Sequence, residues 1–187
     1  MLKHALLGLL TYAPMTGYDL KQIMVQSTSN FWYAKQSQIY TTLKAMEEDE
    51  LVESVIEEQK GKPDRRVYSL QEKGKRALKV WLGESITELE LRKESVLLKL
   101  FFSAPKGKRE LLENLEHLQK LHQTQLGVYQ NETKAVIEDY ARILPEAAKD
   151  ELLWDATRRF GVLFEEMYIA WIEETKMRIE KEFEDES

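Results

Sequence analysis

Up to Gly83, hydrophobic residues recur mostly at the three- and four-residue spacing of amphipathic helices. This spacing predicts a first helix over Lys3–Tyr12, which should end before Pro14 because the residue preceding a proline avoids helical geometry. Further helices are predicted over Thr16–Ser27 and Lys73–Leu82. The apolar sides of these helices are expected to be buried.

The starts of two helices carry capping residues. Thr16 and Asp19 have the spacing of a capping box, in which the Thr hydroxyl accepts an unpaired backbone N–H and the carboxylate reaches back. Ser37 is predicted to cap a third helix in the same region of the chain. These caps place a turn region, Thr28–Gln36, between the second and third helices; it is polar at its start and carries Phe31, Trp32 and Tyr33.

The third helix has two unlike faces. At about 100° per residue, Ile39, Leu43 and Met46 fall on one stripe and predict a buried side. The opposite side is polar and comprises Ser37, Thr41, Lys44 and Glu48. One face is therefore expected to pack on the core, and the other is expected to be exposed.

A β-hairpin is predicted directly after this helix. Its strand-like segments are Leu51–Glu58 and Arg65–Leu70, and they flank the turn Gly61-Lys62-Pro63-Asp64. Cations cluster at the tip of the hairpin: Lys60, Lys62, Arg65 and Arg66. The order helix, helix, turn, helix, hairpin is that of a winged helix-turn-helix, and a cationic tip suits a phosphate backbone, although such a turn also needs no ligand.

The second half of the chain is predicted to be entirely helical. Its patterns cover Leu91–Phe102, Glu110–Arg142 and Glu146–Glu182, with breaks at Ser103–Gly107 and Pro145. In the last pattern the apolar stripe is wider than one neighbouring helix could cover. An antiparallel helical interface with a second copy is the simplest way to bury it, which predicts a homodimer.

The predicted fold class is therefore mainly α. Residues 1–83 should form a winged helix-turn-helix domain with a two-stranded β-wing. Residues 84–187 should form an all-helical dimerisation domain with long antiparallel helices.

The charge is distributed unevenly between these two predicted domains. The net charge is −6, but up to Gly83 there are 12 Lys and Arg against 10 Asp and Glu, a net of +2, which leaves −8 for the remainder. Binding to nucleic acid depends on the local field, so an acidic second domain does not exclude it.

Two further features bear on where the protein acts. The chain has no cysteine, which excludes disulfides and thiolate metal sites and favours a reducing cytoplasm. The apolar run Ala5–Leu10 is too short for a signal peptide or a membrane span, so no membrane association is expected.

An enzyme is not expected. The sequence contains no glycine-rich phosphate loop, no nucleophile elbow and no carboxylate pair set in an apolar pattern. His117 and His122 would lie about 140° apart around a helix, which is poor geometry for sharing a metal. No catalytic residue, cofactor or metal site is predicted.

The aromatic residues allow two interpretations. One is a pocket for a small aromatic effector; the other, favoured for aromatics at helical spacing, is packing in the core or the dimer interface. The residues concerned are Trp32, Tyr33, Trp154, Phe164, Tyr168 and Trp171.

The order of these signals resembles the PadR family of winged helix-turn-helix transcriptional regulators. The resemblance is carried by LLGLLTYAPMTGYDLKQIM, SQIYTTLKAMEEDELVE and KGKPDRRVYSLQEKGKRALKVWL, and LRKESVLLKLFF is similar to the start of the helical domain of virulence-activator-type members. The resemblance implies a dimeric DNA-binding regulator, often a repressor, with the third helix in the major groove and the wing on the flanking backbone. The positions it implies are Ser37, Gln38, Tyr40, Thr41, Lys44, Lys60, Lys62, Arg65 and Arg66.

The sequence departs from the family pattern at a few places. Thr41 and Glu50 stand where the family often has Pro and Gly, and Gln71 is a poorer N-cap than the Thr common before the closing helix. The operator sequence of a relative therefore cannot be transferred. A protein-interaction scaffold that does not bind DNA is the alternative function.

Overall fold

The computed structural model describes residues 1–28, 31–58, 61, 64–89, 93–143 and 148–183. The chain divides into two compact units, Met1–Glu88 and Leu89–Ser187. The domain ranges 1–83 and 84–187 remain a sequence-based prediction.

The first unit contains helices and a small sheet. Along the chain these elements are α1 Leu2–Leu9, β1 Met15–Thr16, α2 Gly17–Ser27, α3 Gln36–Glu48, β2 Val52–Glu57, β3 Arg65–Leu70 and α4 Glu72–Gly83. Helix α1 ends earlier than predicted, at a turn where the Thr11 hydroxyl donates to the Gly8 carbonyl (2.6 Å).

The predicted hairpin is confirmed, and a third strand joins it. Strands β2 and β3 pair antiparallel, with Val52 opposite Leu70 and Glu57 opposite Arg65. The sheet order is β1-β3-β2, with Thr16 opposite Val67. Strand β1 was not predicted, because two residues are too few to show a strand period.

The buried side of α3 is the predicted one. Ile39, Leu43 and Met46 are 1%, 0% and 1% exposed, and they pack in one core with the fully buried Leu6 and Leu20. Burying each such side chain contributes about 1.5–3 kcal/mol. Anchoring three successive turns leaves the other face of α3 towards solvent.

Of the two predicted helix caps, one is confirmed and one is wrong. The Thr16 hydroxyl accepts from the Asp19 N–H (3.1 Å), and the Asp19 carboxylate accepts from the Thr16 N–H (3.0 Å). Ser37 does not cap α3; the N-cap is Lys35, and its N–H donates to the Gln38 side-chain oxygen (2.8 Å). A capping side chain from within the first turn allows the helix to begin before Ser37.

Helix α3 ends in a left-handed turn that aims the chain into β2. Glu50 has φ 57°, its N–H donates to the Glu47 carbonyl (3.0 Å), and the Leu51 N–H donates to the Met46 carbonyl (2.9 Å). This is the Schellman pattern, which usually places glycine at the left-handed position.

Replacing Glu50 by Gly is therefore expected to stabilise the protein by about 0.5–1 kcal/mol. A left-handed non-glycine residue costs about 1–2 kcal/mol, partly offset by the larger freedom of glycine in the unfolded chain. The exposed ion pair Lys73–Glu50 (3.5 Å), which the substitution removes, contributes little. Urea unfolding measures the change. Asp49→Gly, at φ −81°, is the matched control and should not stabilise; equal effects of the two substitutions would contradict the prediction.

In the described residues of the second unit, all the regular secondary structure is helical. Its elements are α5 Ser95–Phe101, α6 Lys108–Gly127, a π-helical segment Val128–Glu132, α7 Thr133–Ile143 and α8 Ala148–Glu182. The predicted helix starts at Leu91 and Glu146 lie outside the described residues. The predicted helix Glu110–Arg142 is present but contains the π-helical segment.

Helices α6 and α8 run antiparallel, as predicted. Gln119 on α6 donates to Glu173 on α8 (3.0 Å), and His122, further along α6, contacts Glu165, which precedes Glu173 on α8. Their shared core comprises Leu111, Leu115, Tyr168, Ile172 and Ile179.

A polar cluster crosses this helical pair. Glu165 is 5% exposed and contacts His122, whose ring stacks on Tyr168 with centroids 4.1 Å apart. Burial raises the pKa of the Tyr168 hydroxyl, and the carboxylates of Glu94 and Glu165 add to this. Within the described ranges, no group of three or more His, Asp or Glu side chains could hold a metal ion.

In the parts of the chain that the structure describes, no helix combines the length and the apolarity that a membrane crossing requires.

Candidate nucleic-acid interface

The outward side of α3 presents the polar residues named from the sequence. Ser37, Gln38, Thr41 and Lys44 are exposed, and Tyr40 is 43% exposed although it is aromatic. The Lys44 ammonium lies 3.9 Å from the Glu48 carboxylate, and both side chains are mostly in solvent. Such an exposed pair is weak, so the ammonium is available to another acceptor.

The Tyr40 ring lies against the N-terminal end of α2. A Cβ at Gly17 would be only 2.6 Å from Cε1 of Tyr40. The absence of a side chain at Gly17 therefore lets the ring occupy this position. The nearby Lys21 ammonium donates to the Gln36 side chain (3.2 Å), which also joins α2 to α3.

The exposed Gln38 side chain already has a partner within the first turn of α3. Its side-chain oxygen accepts from the Lys35 N–H at the start of α3 (2.8 Å). Bidentate pairing with adenine uses both the oxygen and the amide nitrogen of a glutamine, so it would compete with this cap. The sequence pattern gave no sign of this competition, because the predicted N-cap, Ser37, lies two residues after the observed N-cap, Lys35.

The arginines at the base of the hairpin tip both meet carboxylates. Arg65 Nη2 lies 3.3 Å from Asp19 Oδ2, so β3 is joined to the capped end of α2. Burial tends to raise the pKa of the Asp19 carboxyl, but hydrogen bonds from Thr16 and the Arg65 charge outweigh it and hold that pKa below its usual value.

Arg66 has more partners than Arg65. Its Nη2 lies 3.0 Å from Glu47 Oε2, and its Nε donates to Ser54 Oγ (2.8 Å). The guanidinium carbon also lies 5.7 Å from the centroid of the Tyr68 ring. Both arginines remain about half exposed, at 45% and 53% of their side chains.

The remaining predicted wing residues cannot be placed. Lys60 and Lys62 lie outside the described residues, while Gly61 between them has φ 77°, as a tight turn requires. Contact of the wing with DNA therefore stays a prediction.

Sequence reasoning missed Asp19, Glu47 and Ser54 as partners of the cationic residues. Ser54 stands diagonally opposite Arg66 on one face of the hairpin, which the strand register could have indicated. Glu47 and Asp19 come from separate helices, and no local pattern pairs them with β3.

The aromatic residues mostly pack in the two cores. Trp32 packs against the core of the first unit, and Phe164, Tyr168 and Trp171 belong to the core around α6 and α8. These contacts favour the packing interpretation over an effector pocket for these four residues.

Comparison with known families matches both parts of the chain. Residues 6–80 match the transcriptional regulator PadR-like family, and residues 92–180 match the virulence activator alpha C-terminal family. The chain is 26% identical over 185 residues to the negative transcriptional regulator PadR of Bacillus subtilis, covering 97% of this chain and 99% of that protein.

Solved structures resemble the chain over nearly its whole length. Bacillus subtilis PadR in complex with operator DNA matches with a TM-score of 0.80 and 25% identity, covering 95% of this chain and 98% of the other. The structure of the same protein in complex with p-coumaric acid matches with a TM-score of 0.74 and 23% identity, covering 96% of this chain and 98% of the other. The Vibrio cholerae virulence activator AphA matches with a TM-score of 0.71 and 25% identity, covering 97% of this chain and 99% of the other.

Proposed function

The chain belongs to the PadR family of transcriptional regulators and carries a virulence-activator-like C-terminal region, and we propose that it represses transcription by binding operator DNA as a homodimer. The observation that carries this proposal is the exposed polar face of α3, whose opposite side is fixed in the core. The similarity to a PadR solved with operator DNA supports it.

Different residues of this surface suit different parts of a duplex. Lys44 can reach guanine O6 and N7, and the Ser37 and Tyr40 hydroxyls suit phosphate oxygens. Thr41 is short enough to approach either a base edge or the backbone, and Gln38 can take part once its cap is released. The wing residues Lys60, Lys62, Arg65 and Arg66 are proposed to lie near the flanking phosphates.

The proposed dimer is supported by an exposed apolar stripe on α8. Its members lie outside the core that α8 shares with α6. The stripe comprises Leu152, Leu153, Phe160, Leu163 and Met167, each at least half exposed. Two recognition helices in such a dimer would read a pseudo-palindrome whose half-sites lie about one helical turn, or a multiple of it, apart.

Two further features are part of the proposal. The Bacillus subtilis PadR structure with p-coumaric acid supports a small aromatic effector, without indicating which residues of this chain would bind it. A regulator of this kind would act in the cytoplasm, where it meets the DNA.

Fluorescence anisotropy tests the proposed function against the interaction-scaffold alternative. Labelled duplexes from upstream of candidate genes and random duplexes are titrated across a salt series. Binding that prefers one duplex, with log K falling about 0.9 per contacted phosphate against log salt, supports a DNA-binding regulator. Absent or salt-insensitive binding favours the scaffold. Adding p-coumaric acid to the same assay tests for a small aromatic effector, which would change the affinity for DNA.

Replacing Lys44 by Ala is expected to weaken operator binding by about 1–3 kcal/mol and to relax the preference at one base pair. The reason is that the exposed ammonium would lose its contact with a guanine edge. The measurement compares affinities for the operator and for single-base variants of it.

Lys79→Ala is the matched control for Lys44→Ala. Lys79 is an exposed lysine on α4 rather than on α3 or the hairpin, so its removal deletes the same charge elsewhere. Its effect on sequence preference should be nil. An equal loss of affinity on every duplex in the Lys44 variant would assign Lys44 to phosphate instead.

A further inference from the structure

Three side chains from three elements form one closed polar network in the first unit. Arg66 Nη2 bridges both carboxylate oxygens of Glu47, at 3.3 and 3.0 Å, and Arg66 Nε donates to Ser54 Oγ (2.8 Å). Ser54 Oγ in turn donates to Glu47 Oε1 (2.5 Å). Each member therefore contacts both of the others.

The network connects the recognition helix to both strands of the wing. Glu47 lies in the last turn of α3, Ser54 on β2 and Arg66 on β3. The strand register places Ser54 opposite Tyr68 and Arg66 opposite Ile56, so these side chains share one face of the hairpin. The guanidinium also lies over the Tyr68 ring, which limits its movement further.

Glu47 is more enclosed than the acidic residue that follows it. The Glu47 side chain is 28% exposed, whereas the Glu48 side chain is 67% exposed. Partial enclosure strengthens the pairing with Arg66, since solvent screens it less. The carboxylate is thus oriented by two partners rather than extended into water.

A negative charge at this place works against a DNA-binding surface. Carboxylates within a Debye length of phosphates, about 8–10 Å, repel them. If this repulsion were the only effect of Glu47, neutralising the residue would tighten DNA binding. A carboxylate that holds the wing at its angle to α3 has the opposite effect, because its loss would misplace the wing.

We propose that Glu47 and Ser54 are positioning residues for DNA recognition, which hold Arg66 so that the β2–β3 hairpin is fixed relative to α3. This inference rests on the proposed function, since it concerns the arrangement of two elements on one duplex. Arg66 then links the wing to α3: it lies near the flanking phosphates, but the direct phosphate contacts fall to the other wing cations.

The test uses the full chain and the operator duplex across a salt series. Glu47→Gln is expected to weaken binding about twofold to fivefold, in line with the loss of one partly exposed ion pair, while the salt slope stays unchanged. Arg66→Gln should give a loss of similar size with the same slope. The double substitution should be no worse than either single one, because all three remove the same network.

Asp49→Asn is the matched control, since it neutralises an exposed carboxylate at the same end of α3. It should leave affinity unchanged or raise it. Ser54→Ala keeps both charges and should weaken binding about twofold to fivefold, which keeps the test valid if Glu47→Gln destabilises the fold.

A separate measurement without DNA distinguishes this inference from the proposed function. Amide hydrogen exchange in β2 and β3 of the free protein should quicken in Glu47→Gln and Ser54→Ala, but not in Asp49→Asn. Failure of the wild type to bind any duplex would overturn the proposed function. Hydrogen exchange in β2 and β3 that does not quicken in Glu47→Gln and Ser54→Ala would overturn the positioning network instead.

Other outcomes would overturn the positioning role. One is tighter or unchanged operator binding by Glu47→Gln. Another is an Arg66→Gln variant whose slope of log K against log salt is smaller by about 0.9 and whose loss of affinity adds to that of Glu47→Gln. That result would assign Arg66 to a phosphate contact.

Discussion

Replacing both Leu163 and Met167 by Glu is expected to convert the proposed dimer to monomers and to remove high-affinity operator binding. Both side chains are about half exposed in the single chain, at 50% and 53%, and both lie on the apolar stripe of α8. Burying a Leu or Met side chain contributes about 1.5–3 kcal/mol, and a twofold interface buries each of them twice.

Because each side chain is already about half buried in the single chain, the substitution should cost the dimer at least about 3 kcal/mol, which is more than a 100-fold change in its dissociation constant. Unpaired carboxylates at the interface would add to that cost. Operator binding should fall with it, because a monomer can occupy only one half-site at a time. Sedimentation equilibrium measures the association, and anisotropy measures the binding.

Gln123→Glu is the matched control for the dimer prediction. It adds the same kind of charge at an exposed polar position of α6 and should leave the dimer intact. Far-UV circular dichroism should show the helical content of the double variant retained, since neither side chain belongs to the buried core around α6 and α8. A double variant that still sediments as a dimer would place the interface elsewhere.

The substitution Gly74→Ala is expected to destabilise the first unit by about 3 kcal/mol, the upper part of the range for overpacking. A Cβ at Gly74 would lie 2.3 Å from the Leu51 carbonyl oxygen and 2.8 Å from Leu70 Cδ1. The nearest atom belongs to the backbone and cannot rotate away. That same carbonyl accepts from the Gln71 N–H (3.0 Å), so α4 would have to move away from the hairpin.

Urea unfolding measures this loss, and Gly8→Ala supplies the control. Gly8 is also inside a helix, but a Cβ there would meet nothing within 4 Å. Gly8→Ala should therefore be neutral or stabilise by up to about 1 kcal/mol through helix propensity. Similar effects of the two substitutions would contradict the close approach of α4 to Leu51.

Sequence reasoning failed where the structure depends on contacts that the hydrophobic pattern does not show. The start of α3 was misplaced because Gln38 provides the cap from within the first turn, although Ser37 has the stronger general preference for capping. Strand β1 was missed because its two residues pair only through Val67 and Tyr68, far along the chain. Both errors concern contacts that no local periodicity contains.

Local spacing along the chain was enough to predict the main helices, the hairpin and the buried side of α3, because backbone geometry repeats side-chain directions at fixed intervals. The contacts of Arg66 with Glu47 and Ser54, of Arg65 with Asp19, and of the Tyr40 ring with Gly17 became visible only in the folded chain. These contacts join elements remote in sequence, and their geometry depends on how the helices and the hairpin pack.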